Sequence, residues 1–108
     1  LPGERWLVLG EIAELGDHAE AAHAEVGRHA RATGVARLEA IGRHTPQAVA
    51  AFGAGGRWHA DAAALVETLR AGLRPGVTVL VKGSRVNRLE RVVDALVAGP
   101  PRAAGATH

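Results

Sequence analysis

Three short apolar segments, each closed by a glycine, limit what this 108-residue chain can fold into more than any other feature. They are Trp6-Leu7-Val8-Leu9-Gly10, Leu38-Glu39-Ala40-Ile41-Gly42 and Val77-Thr78-Val79-Leu80-Val81-Lys82-Gly83. A strand with one wet face alternates apolar and polar side chains; a strand covered on both faces is apolar nearly throughout. These segments are of the second kind, the middle one less cleanly. Arg57-Trp58-His59 adds a brief fourth.

Helical spacing fills the gaps. Asp17 with Glu20 reads as a capping box opening a helix with Ala19, Ala22, Val26 and Ala30 on one stripe and Gly34 past its end. Thr45-Pro46 opens a short helix that stops in Gly53-Ala54-Gly55-Gly56. Asp61 caps a third, with Leu65, Val66, Leu69 and Leu73 together, and Pro75-Gly76 turns the chain back. Asn87 with Glu90 opens a fourth, carrying Leu89, Val92, Val93, Leu96 and Val97. Strand followed by helix, four times over, predicts an α/β fold. It is a three-layer Rossmann-like, mostly parallel sheet with helices on both faces and right-handed crossovers. Residues 1–98 form this domain and 99–108 a flexible tail.

Composition narrows the function. The 47% hydrophobic share supports one core, thinned by many alanines, and the absence of cysteine excludes disulfides, cysteine zinc sites and thiol chemistry. Net charge is only +2. Residues 1–42 carry four basic and seven acidic groups, and the basic excess comes later in the chain. The acids interleave with the bases and Trp6, Phe52 and Trp58 are scattered, so no continuous basic, aromatic face for nucleic acid arises. No apolar run approaches the ~20 residues of a membrane span. No signal peptide is seen, and the cytoplasm is the expected location. The missing initial methionine and the immediate strand suggest a piece of something longer.

Ligands of parallel sheets bind beyond the carboxyl ends of the strands. That edge would gather Gly10, Glu11, Glu14, Arg43, His44, His59, Asp61, Gly83, Ser84, Arg85 and Arg88, a setting for an anion. Lys82, at the end of its strand, has the plainer reading of a lysine that snorkels to water. Gly83-Ser84-Arg85 is the strongest part. Glycine admits a close backbone, the helix start offers free N–H groups, and arginine grips carboxylate or phosphate in two parallel bonds. The plainer alternative is that Ser84 caps the helix and Arg85 is solvated. Glu11 and Glu14 could hold magnesium, but acids at a helix start also favour its dipole, and that second account is preferred. His18, His23 and His29 are spaced five and six apart and share no helix face, so no protein metal site is expected. Neither a nucleophile elbow nor a phosphate loop is present.

Taken in order, Leu7-Val8-Leu9-Gly10-Glu11-Ile12-Ala13-Glu14-Leu15-Gly16, His23-Ala24-Glu25-Val26-Gly27, His59-Ala60-Asp61 and Val79-Leu80-Val81-Lys82-Gly83-Ser84-Arg85 through Leu89-Glu90-Arg91-Val92-Val93 resemble the carboxyl-terminal domain of the Mur ligase family. The likeness runs from about residue 6 to residue 98. It is strongest to members that join D-alanyl-D-alanine to a UDP-N-acetylmuramoyl-tripeptide in peptidoglycan precursor synthesis. The resemblance implies an ATP-dependent ligase in which the tripeptide carboxylate becomes an acyl phosphate that the dipeptide amine attacks. It also implies a phosphate loop and magnesium ligands in an absent central domain, and a monomeric enzyme. This domain would act as a lid, inactive alone and with no catalytic residue of its own. Lys82, Gly83, Ser84, Arg85 and Arg88 would seat the dipeptide or nucleotide, with Gly10 and Glu11 beside them. The family often has Asp-Met where Glu11-Ile12 stand, and an Asn-Pro segment upstream of residue 1. A sister ligase for another amino acid, or a non-enzymatic Rossmann-like binding module, are the alternatives.

Overall fold

The computed structural model describes residues 3–83 together with Arg91 and Asp94. Four strands, β1 (Arg5–Leu9), β2 (Arg37–Ile41), β3 (Gly56–His59) and β4 (Thr78–Lys82), form one sheet in the order β3-β2-β1-β4. Every neighbouring pair is parallel. Helices α1 (Ala19–Ala32), α2 (Pro46–Phe52) and α3 (Ala62–Gly72) make the connections, as the strand–helix alternation predicts. Of the fourth helix only Arg91 and Asp94 are described, both helical, and the tail lies outside the described residues.

The pleat of β1 explains why its sequence is apolar throughout. Leu7 and Leu9 point to one face, where they pack with Leu38, Ala40, Ala30, Ala48 and Phe52 under α1 and α2. Trp6 and Val8 point to the other, where Ile41, Leu65 and Leu69 meet them under α3. With helices on both sides the strand has no wet face. β4 is different, because it lies at the sheet edge. Leu80 and Val81 are 42% and 41% exposed.

Local chemistry sets the helix boundaries. Asp61 accepts a hydrogen bond from the Ala64 N–H at 2.8 Å and starts α3. Pro46 occupies the first turn of α2. The expected cap at Asp17 is not formed. A single 3₁₀ turn, Gly16–His18, closes first, with the His18 N–H donating to Leu15 O at 3.0 Å. This carries the start of α1 on to Ala19, and His18 at the cap position contributes no side-chain bond.

α1 and α2 cross closely. A Cβ placed on Gly27 would lie 2.2 Å from the backbone oxygen of Ala48, so only glycine fits there without separating the helices. The first two connections run one way along the sheet and α3 returns past them to β4. The direction therefore reverses between β1 and β4, and a crevice opens there at the carboxyl edge.

Candidate functional site

The crevice is bounded by the ends of β1 and β4. Leu9 pairs with Lys82, and the Gly10 N–H donates to Lys82 O at 2.8 Å. Gly10, Lys82 and Gly83 thus come together as expected. The Lys82 side chain is exposed and leaves on the α1 face, where it lines a groove of about 630 Å³ with Leu7, Val26, Ala30 and Leu80. Ser84, Arg85 and Arg88 lie outside the described residues.

Glu11 does not project into the crevice as a simple surface acid. One carboxylate oxygen accepts the His44 backbone N–H at 2.8 Å, and the other pairs with His44 Nδ1. The loop after β1 is thereby locked to the loop after β2. The lock needs Gly42, which has φ +127° and where a Cβ would stand 3.0 Å from Glu11 N and Cβ. Burial alone would raise the Glu11 carboxyl. The backbone and side-chain hydrogen bonds from His44 outweigh it and hold the group below its ordinary 4.5. A lowered folded-state value means that the carboxylate stabilises the fold above the unfolded value, and that this contribution is lost as pH falls through the folded one. Unfolding of wild type and Glu11→Gln should therefore differ at pH 7 and converge only as acidification passes below the ordinary carboxylate range. A difference that stays constant with pH would show that the charge on Glu11 contributes nothing.

His23 is fully buried behind this lock. Its Nε2 accepts the Ile12 N–H at 3.0 Å and its Nδ1 lies 2.6 Å from Ala19 O. Its ring stacks near His44, with centroids 6.0 Å apart, and Nε2 is 4.0 Å from a Glu11 oxygen. Further round the rim, Arg43 and His44 line a polar pocket of about 400 Å³ with Gly16, Asp17 and Glu20. Glu14 is exposed in the same β1–α1 loop, in the left-handed region at φ +65°.

One expected edge residue is elsewhere. His59 turns under the sheet on the α3 side, and its Nε2 meets Glu39 Oε1 at 2.7 Å. Glu39 is wholly buried, and its other oxygen takes Arg37 Nε and Nη2 at 3.0 and 2.7 Å. The Arg37 guanidinium also stacks over Trp6 at 3.9 Å. The sequence reading passed over both Glu39 and the role of His23. The available signal was a carboxylate inside a strand covered on both faces, which must find a partner.

Comparison with known proteins agrees with this geometry. The family model for the Mur ligase, glutamate ligase domain, matches residues 1–85. The chain belongs to the Mur ligase family. Among curated relatives of this Mur ligase domain, the UDP-N-acetylmuramoyl-tripeptide–D-alanyl-D-alanine ligase of Escherichia coli K12 is 41% identical over 98 residues, with 89% of this chain covered. The enzyme of the same name from Mycobacterium bovis is 40% identical over 114 residues, with 86% covered. The chain spans 22% of the length of each. MurF from Acinetobacter baumannii superposes on 92% of the chain with a TM-score of 0.82, at 23% identity and over 23% of its own length. MurF ligase from Thermotoga maritima, solved in complex with ADP, gives 0.69 at 26% identity, over 86% of this chain and 21% of its own. The domain thus has the fold of a Mur ligase carboxyl-terminal domain.

Proposed function

We propose that this chain is the carboxyl-terminal domain, spanning residues 1–98, of an ATP-dependent ligase that joins D-alanyl-D-alanine to UDP-N-acetylmuramoyl-tripeptide in peptidoglycan precursor synthesis. The observation that carries the reading is identity of about 40% to relatives bearing that name, over nearly nine-tenths of the chain. The crevice between β1 and β4 supports it, because the turn at Gly10 and the Lys82-Gly83 segment meet where parallel sheets take ligands. Ligands to magnesium fit less well here. Among the described residues no three His, Asp or Glu side chains converge to hold an ion. By the family likeness, ATP and its magnesium would be held mainly by a central domain of the enzyme. The same reading carries the expectations of a cytoplasmic location and a monomer.

In this reading the domain supplies position and shelter. An activated acyl group must be kept from water until the amine arrives, and a domain closing over the crevice does that. Ser84 and Arg85, directly after Gly83, would seat an anionic group of the dipeptide or nucleotide. In the multidomain enzyme, Arg85→Ala should lower kcat/KM at least tenfold, about 1.4 kcal/mol. Steady-state kinetics with varied dipeptide and ATP check this, and unchanged constants would remove Arg85 from the site.

A further inference from the structure

We infer that His23 is the positioning residue of the carboxyl edge: it sets the Gly10–Gly16 loop against α1, and through that loop the Glu11–His44 lock. The inference rests on the reading that this edge meets the ligands. The argument begins with proton bookkeeping on one ring. Ala19 O can only accept, so Nδ1 carries the hydrogen; the Ile12 N–H can only donate, so Nε2 is bare. Both nitrogens of a wholly buried imidazole are thereby used in a defined sense. One bond goes to the first turn of α1, the other to the loop.

The loop is also tied by Gly10 to Lys82 O and by Glu11 to His44, and it carries one strained position. Its Glu14 sits at φ +65°, a costly backbone conformation for a residue with a side chain, which persists only where the surroundings impose it. Within the same segment, the Ile12 amide tied to His23 lies next to Glu11. The His23 ring is 4.0 Å from the Glu11 carboxylate and stacks near His44. Cutting the bond to Ile12 therefore frees the segment that aims Glu11 at His44 and lies beside the Gly10–Lys82 contact. His23 itself is sealed from solvent, so it acts through the loop and touches no ligand.

The two ring nitrogens can be tested apart. A glutamine carbonyl reaches the position of Nε2 and can accept from Ile12. An asparagine amide reaches that of Nδ1, keeps the tie to Ala19 and leaves Ile12 unpaired. In the 108-residue chain, amide hydrogen exchange should find Ile12 as protected in His23→Gln as in wild type, and at least tenfold faster in His23→Asn. In the multidomain ligase, His23→Gln should hold kcat/KM within about threefold, and His23→Asn should lose tenfold or more per folded molecule. A purely structural role would make both variants follow their unfolding stability instead. Equal activity of folded Asn and Gln variants, or a folded Gln variant that leaves Ile12 unprotected or loses tenfold, overturns the inference. The Gln arm decides alone if the Asn variant does not fold. Absence of ligase activity in the wild-type multidomain protein would defeat the functional reading, while the exchange result would still decide whether His23 holds the loop.

Discussion

Glu39→Leu is expected to destabilise the domain by about 3 kcal/mol, because it removes the shared partner of two groups that cannot both escape to water. Arg37 is left half-buried over Trp6, and His59 loses the Glu39 acceptor of its Nε2. In thermal unfolding of a domain this size the drop would be on the order of 15 °C. Leucine is close in volume and apolar, so the loss cannot be blamed on a cavity. The companion variant makes the cause explicit. Glu39→Leu combined with His59→Phe removes carboxylate and imidazole together and extends the apolar cluster of Trp6, Val8, Leu65 and Leu69. It should be more stable than Glu39→Leu alone by about 1 kcal/mol or more, since no imidazole is then left buried without an acceptor, while the share of the loss due to Arg37 remains. Losses that simply add in the double variant would show that Glu39 and His59 do not act as a pair.

Gly27→Ala should reverse the usual sign of a glycine-to-alanine change within a helix. Propensity alone favours alanine by about 1 kcal/mol. Against it, the new Cβ would lie 2.2 Å from Ala48 O and 2.9 Å from Ala48 C and Cα, all backbone atoms that cannot rotate away. α1 and α2 must then move apart, loosening Ala30, Ala48 and Phe52 in the core between them. A net loss of about 2–3 kcal/mol follows, measurable as a lowered urea midpoint with an unchanged slope. A gain in stability would mean that the helices separate freely.

These effects mark what could be read along the chain and what could not. The strands at Trp6–Gly10 and Val77–Gly83, the Asp61 cap and the Pro46 start were legible because their causes lie within a few residues. Asp17 misled, since a capping pattern says nothing of a 3₁₀ turn that closes first. His59 misled for another reason. Its acceptor, Glu39, is twenty residues away in sequence, and only the parallel pairing of β2 with β3 brings the two together. Nothing local marked Gly27, because the atom that forbids a larger residue there belongs to α2. The meeting of Gly10 with Lys82 was expected from the family likeness, but the strand order that produces it is a property of the sheet. The roles of Ser84, Arg85 and Arg88 rest on sequence alone.

The two tryptophans report on different parts of the domain. Trp6 is sealed against Arg37 and the α3 face, whereas Trp58 stands on edge strand β3, 47% exposed, with its indole N–H on Gly42 O at 2.8 Å. One indole therefore senses whether the interior is intact, and the other senses the solvent side of the rim beside Gly42. The protein carries two optical reporters, one for folding and one for the rim beside Gly42, and silencing either with phenylalanine reads the other alone.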